Sequence, residues 1–169
     1  TAAFGLGLLH NLEVNHFRVQ ALVLCPTREL ADQVAKEIRK LARTIHNIKV
    51  LTLCGGMPFG PQIGSLEHGA HIVVGTPGRI EEHLRKRTLI LDNLNTLVLD
   101  EADRMLEMGF QDAIDAIVEK TPAERQTLLF SATYPEAIES IAARVTTKAE
   151  RVTVETAHST TSIRQHFFK

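Results

Sequence analysis

The 169-residue sequence is short of cysteine, of net charge and of long apolar runs, and each shortage closes off a class of protein. Two cysteines occur, Cys25 and Cys54, and no Cys/His pair has zinc spacing, so neither a disulfide framework nor a structural zinc site is expected. Each cysteine ends an apolar run, where free thiols are ordinarily buried and reduced. The 8 histidines are scattered without a ligand spacing and read as surface or packing residues. The 19 basic and 20 acidic side chains leave a net charge of −1, too little to coat a polyanion by bulk electrostatics. A local basic groove remains open, with Arg28, Arg79, Arg85, Lys86 and Arg87 as candidates, although the run at 85–87 also reads as a solvated helix end. No stretch approaches the roughly 18 apolar residues of a membrane span, and the first residues lack the charged-then-apolar order of a signal peptide. No membrane partner is expected, and the cytoplasm is the default compartment.

What is present is the material of one globular α/β domain. The chain is long enough for one core, and its 44% apolar and 23% charged content is ordinary for a globular protein. Short β-branched or Leu-rich runs recur, each followed by a turn and then a helix-period stretch, the pattern of βαβ units and a parallel sheet. Strands are predicted at 20–25, 49–54, 71–74, 96–99 and 127–130, with a last one at 151–155. Helices are predicted at 1–12, from residue 27 through Leu30, Val34, Ile38 and Leu41, through Ile80 and Leu84, and at 101–108, 111–120 and 135–145. Near-continuous apolar strands are buried on both faces, so helices should cover both sides of a mostly parallel sheet, giving three layers. In such a sheet the loops at the strand carboxyl ends form the ligand edge.

The polar clusters fall at those ends. Asp100-Glu101-Ala102-Asp103 follows the apolar run Leu97-Val98-Leu99. An acid at a buried strand tip costs desolvation energy unless a cation or hydrogen bonds compensate, so Asp100 is placed to hold Mg²⁺ through its water shell. Glu101 could orient and deprotonate a water that attacks a γ-phosphate, leaving Asp103 for a hydrogen bond elsewhere. The same residues equally suit a helix start whose acids are favoured by the macrodipole. Ser131-Ala132-Thr133 offers two hydroxyls that either cap the next helix or reach Asp103 from an adjacent strand. Pro26-Thr27-Arg28-Glu29 and Thr76-Pro77-Gly78-Arg79 are turns of similar chemistry. Each combines a hydroxyl, N–H groups at a helix start and a guanidinium, which suits phosphate oxygens as well as a plain capped helix. Together with Gly55-Gly56, where a ligand can approach the backbone closely, they favour a polyanion track.

In order, Pro26-Thr27-Arg28-Glu29-Leu30-Ala31, Gly55-Gly56, Thr76-Pro77-Gly78-Arg79, Asp100-Glu101-Ala102-Asp103 and Ser131-Ala132-Thr133 resemble motifs Ia, GG, Ib, II and III of the DEAD-box RNA helicases. The wording around them is similar to that of bacterial members that act in ribosome assembly. The resemblance implies a RecA-like amino-terminal motor domain that uses ATP and Mg²⁺, with Asp100 and Glu101 at the metal and the water. It implies that Asp103, Ser131 and Thr133 couple hydrolysis to duplex opening. It places Pro26, Thr27, Arg28, Gly55, Gly56, Thr76, Pro77, Gly78 and Arg79 along the backbone of RNA, with ribosomal RNA the expected partner.

One element of that family is not found in the sequence, a Gly-x-x-x-x-Gly-Lys-Ser/Thr phosphate loop. Thr1-Ala2-Ala3-Phe4 resembles the residues that follow the lysine of such a loop, which makes Thr1 a candidate metal-facing hydroxyl. The expectation is a partial amino-terminal RecA-like domain at 1–155, without its first strand and phosphate loop, followed at 156–169 by a linker towards a second RecA-like domain. Such a piece alone should not hydrolyse ATP at a useful rate. The alternative is a catalytically silent RecA-like module that binds RNA or protein. A DNA-directed helicase is a further, related reading.

Overall fold

Successive residues of a strand point to opposite faces, and the apolar runs of this sequence supply side chains to both. The computed structural model, which describes residues 1–153, contains β1 (Ala21–Leu24), β2 (Val50–Leu53), β3 (Ile72–Gly75), β4 (Thr96–Leu99) and β5 (Gln126–Leu129). They form one parallel sheet in the order β2-β3-β1-β4-β5. Leu22, Leu24, Leu53, Val73, Leu97 and Leu99 enter one core cluster, while Ala21, Val23, Cys25, Val50, Ile72, Val74 and Val98 enter another on the opposite face.

The α-helices among the described residues are α1 (Ala2–His10), α2 (Arg28–Leu41), α3 (Phe59–Glu67), α4 (Pro77–Arg85), α5 (Ala102–Glu107), α6 (Gln111–Val118) and α7 (Glu136–Val145). α1 and α2 cover the second face with Phe4, Leu8, Val34 and Ile38. α4 to α7 cover the first with Ile80, Met105, Ile114, Ile117, Ile138 and Ile141. The three layers expected from the sequence are present. Each fully buried Leu or Ile contributes on the order of 1.5–3 kcal/mol by leaving water. α2 shows how directly the pattern acts: Ala31, Val34, Ala35 and Ile38 are wholly buried, and the Thr27 hydroxyl caps the helix by accepting the Leu30 N–H at 3.2 Å. Both cysteines are free and buried. Burial pushes the Cys54 thiol up to about 11, and the Cys25 thiol higher still.

The outer edge of β2 is shielded by side chains. Arg39 Nη2 donates to the Val50 carbonyl at 2.8 Å, and Gln62 Nε2 donates to the Cys54 carbonyl at 3.1 Å, so these two groups are not offered to another strand. Among the described residues β5 pairs on one side alone, with β4.

Some expectations need adjustment. β5 starts one residue earlier than the pattern suggested. α3 was not expected, because Gly60, Pro61 and Gly64 obscure its period; Pro61 is tolerated in the first turn, where N–H groups have no helical partner. Of the strand expected at 151–155, residues 151–153 have no regular structure and the other two lie outside the described residues, as does the expected linker at 156–169.

Candidate functional site

Because all five strands are parallel, their carboxyl ends share one edge, and the strand order fixes the sequence of loops along it. Gly55-Gly56 follows β2, Thr76–Arg79 follows β3, Pro26–Arg28 follows β1, Asp100–Asp103 follows β4 and Ser131–Thr133 follows β5. Neighbouring strands lie about 4.8 Å apart. The edge therefore divides into a basic, glycine-containing half over β2, β3 and β1 and an acidic, hydroxyl-bearing half over β4 and β5. The two halves meet where β1 pairs with β4.

In the acidic half, Asp100 is half-buried at the tip of β4. Burial raises its carboxyl above the usual carboxylate range, and the neighbouring Glu101 charge adds to this, while the Glu101 N–H acts in the opposite sense. The Phe4 ring, near the start of α1, lies 5.3 Å from the Phe130 ring directly after β5, which places the start of α1 on the same edge. The Thr1 side chain caps no N–H of α1. A carboxylate and a hydroxyl suit a hard cation. Among the described residues no three His, Cys, Asp or Glu side chains converge, so an ion held here would keep most of its water shell, as Mg²⁺ does.

Glu101 has a left-handed backbone, φ 53° and ψ 53°, which is unusual for a residue with a side chain and directs it out of the strand before α5 begins. Its carboxylate is 42% exposed and lies 3.3 Å from Arg104 Nη1. Asp103 points across to the neighbouring loop. Its Oδ2 accepts from the Thr133 N–H at 2.9 Å and from the Thr133 hydroxyl at 2.8 Å, and its Oδ1 accepts from the Arg104 N–H at 3.0 Å. Burial by itself would raise this carboxyl, yet these donors outweigh it and hold it below the ordinary range. The Ser131 hydroxyl donates to the Thr133 carbonyl at 2.6 Å and so braces the same turn. Neither hydroxyl caps α7, which starts without a side-chain cap.

In the basic half the hydroxyls differ in use. Thr27 caps α2, whereas the Thr76 hydroxyl accepts the Gly55 N–H at 3.2 Å and ties the β3 loop to the β2 loop. Gly56 has φ +72°, and a Cβ there would stand 2.8 Å from Arg28 Nη1, so the Arg28 guanidinium lies directly over this residue. Arg28 is exposed, and among the described residues it makes no ion pair. Gly78 is exposed at the start of α4, while Pro26 and Pro77 are buried and serve to fix their turns.

The Arg79 guanidinium, the second candidate of this half, is already engaged, and its side chain is 10% exposed. Its Nε pairs with Glu82 at 3.2 Å, and its Nη1 donates to the Met57 carbonyl at 2.9 Å and to Gln62 Oε1 at 3.0 Å. The Arg85-Lys86-Arg87 run sits at the carboxyl end of α4, where cations suit the macrodipole; Lys86 pairs with Glu82 and lies over the Phe59 ring.

Gln62, Phe59 and His83 were not singled out by motif. Gln62 and His83 are buried, and the His83 ring stacks on Phe59 at 4.2 Å. A lone amide on a helix carries no sequence signal. Its three polar contacts are visible in three dimensions alone.

Against known proteins, a profile described as DEAD/DEAH box helicase matches residues 1–141. The chain is 59% identical over its whole length to the ATP-dependent RNA helicase DbpA of Escherichia coli, of which it covers 37%. It is 49% identical over 99% of its length to the ATP-dependent RNA helicase CshA of Listeria monocytogenes, of which it covers 32%. Among solved structures, a DEAD box protein from the hyperthermophile Methanococcus jannaschii superposes with a TM-score of 0.83 at 41% identity, over 87% of this chain and 40% of that one. Saccharomyces cerevisiae Dbp5 bound to RNA and ADP BeF3 superposes with a TM-score of 0.79 at 29% identity, over 91% of this chain and 38% of that one. The chain thus spans well under half the length of the relatives it matches.

Proposed function

The chain belongs to the DEAD/DEAH box helicase family, and from that premise we propose that the complete protein is an ATP-dependent RNA helicase whose first motor domain includes residues 1–155. The observation that carries this reading is the division of one sheet edge into an acidic and a basic half that touch at the β1–β4 pair. A motor that couples a nucleotide to a nucleic acid needs both sites on one rigid body.

In the acidic half Asp100 and the Thr1 hydroxyl would hold Mg²⁺ beside ATP. The ion, when bound, neutralises charge that develops on the phosphate oxygens. Glu101 carries the general-base role: its part-exposed carboxylate accepts the proton of the attacking water. Asp103 stays ionised under the donors from Thr133 and Arg104, and so links the β4 loop to the β5 loop. With Ser131 bracing that turn, this link is the proposed route by which the state of the nucleotide reaches the RNA-binding half. Among the described residues β5 has no partner on its outer side, which supports placing a further strand there, with a phosphate loop at its end.

In the basic half Thr27, Arg28, Gly55, Gly56, Thr76, Gly78 and Arg79 follow an RNA backbone, and Pro26 and Pro77 hold the turns that present them. Backbone contacts confer little sequence preference. Choice of target, ribosomal RNA in our reading, then belongs to other parts of the protein, as does a second RecA-like domain that completes the groove. The test is ATP hydrolysis by the complete protein with RNA, with DNA and with neither. Stimulation by RNA well above that by DNA is expected. Equal stimulation by DNA would overturn the choice of nucleic acid, and RNA binding without any turnover would favour a silent module.

A further inference from the structure

We infer that Gln62, which lies in none of the motif loops, is the positioning residue that locks Gly55-Gly56 and Arg79 into one phosphate-binding surface. The inference rests on the RNA-binding role proposed above and adds how that surface is held in shape.

Three of the four hydrogen-bonding positions of the Gln62 amide are occupied, by three residues on two other segments, the end of β2 and α4. Its Nε2 donates to the carbonyl of Cys54, the residue directly before Gly55. Its Oε1 accepts from Arg79 Nη1 at 3.0 Å and faces His83 Nε2 at 2.9 Å, both on α4. The orientation of the amide follows from its partners, since a carbonyl requires the NH₂ end and a guanidinium requires the oxygen. His83 must then present an N–H at Nε2, and its Nδ1, 2.8 Å from the Thr88 hydroxyl, is left to accept. Both polar atoms of the Gln62 amide and both ring nitrogens of His83 thereby have a partner.

That arrangement brackets the glycine pair from both sides. Gln62 holds the Cys54 carbonyl before it, Thr76 holds the Gly55 N–H within it, and Arg79 holds the Met57 carbonyl just after it. Gly56 has no side chain and a left-handed backbone, so its conformation depends on such external ties. Arg79 is aimed by the same amide. Gln62 therefore sets the separation of two surfaces that must meet successive phosphates.

The test uses the complete protein with a fluorescein-labelled oligouridylate, across a salt series, for Arg79→Ala, Gln62→Ala and the double variant. Arg79→Ala should weaken binding about tenfold and lower the salt slope by about one, the loss of one phosphate contact. Gln62→Ala should do nearly the same, and the double variant should be within about twofold of either single one, because both remove a single unit. RNA-stimulated turnover at saturating oligouridylate should be largely recovered in Gln62→Ala, whereas a general folding defect would lower it and leave the salt slope alone. Should Gln62→Ala fail to fold, Gln62→Met fills the same volume without the polar atoms and takes its place. A Gln62 variant that binds within about twofold of the parent while Arg79→Ala loses tenfold overturns the positioning role, as do fully additive losses in the double variant. An Arg79→Ala variant that binds normally would instead sink the RNA track on which the inference rests.

Discussion

Replacing Thr133 by valine deletes one hydroxyl, keeps the shape, and probes the bridge between the β4 and β5 loops. Asp103 Oδ2 receives two donors from Thr133, the N–H at 2.9 Å and the hydroxyl at 2.8 Å, and Oδ1 receives the Arg104 N–H at 3.0 Å. Hydrogen bonds to a charged group contribute about 1.5–3 kcal/mol when buried, and this partly exposed cluster belongs at or below the low end. Thr133→Val should therefore cost about 1 kcal/mol, and Asp103→Ala, which removes the acceptor for all three donors, about 2 kcal/mol. The double variant should cost no more than Asp103→Ala, so that the cycle yields a coupling of about 1 kcal/mol. Urea unfolding of the 169-residue chain at neutral pH measures all four corners.

Acid supplies a second arm. The Asp103 carboxyl is held below its ordinary range when folded, so its stabilisation is complete above the unfolded value of about 3.9 and is lost as pH falls through the folded value. The gap between the parent and Asp103→Ala should shrink below about pH 4. Equal cost of Thr133→Val in both backgrounds, or a gap unmoved by acid, would refute the bridge.

Three other outcomes follow from packing and burial. Gly75→Ala should cost about 3 kcal/mol or more, because its Cβ would stand 2.4 Å from the Leu53 carbonyl oxygen and 2.8 Å from Ile80 Cδ1, forcing β2 from β3. Gly64→Ala, with nothing within 4 Å and a place inside α3, should instead raise the urea midpoint by the equivalent of about 0.5–1 kcal/mol. Burial, reinforced by the nearby Arg79 charge, pushes His83 down to about 4, so the folded state favours the neutral ring and stability should fall as pH drops from 6.5 towards 4. The loss should reach at most about 3 kcal/mol, and a His83→Gln variant should lack that slope in pH-dependent urea unfolding.

Much of this was readable in the sequence for identifiable reasons. An acid run at the tip of an apolar strand has few uses, and the 4, 4, 3 spacing of Leu30, Val34, Ile38 and Leu41 leaves little choice but a helix on the sheet. The meeting of Thr133 with Asp103 was open to inference once their strands were taken as neighbours. α3 was hidden because its glycines and proline look like a loop, although they stand where a helix tolerates them. Arg79 could not be told from a solvent-facing arginine, since its engagement by Met57 and Gln62 depends on two other segments. Thr27 and Thr76 occupy equivalent turns, yet one caps its own helix and the other reaches a different loop, a distinction set by the third dimension.

The most direct measurement is nucleotide binding and RNA-stimulated hydrolysis by the complete protein carrying Glu101→Gln. The change keeps the shape of the side chain and removes its ability to take a proton. ATP binding should persist while turnover falls by about 10²- to 10⁴-fold, the usual contribution of a general base. Turnover at the parent rate with RNA present would contradict the assignment of this sheet edge as a hydrolytic centre.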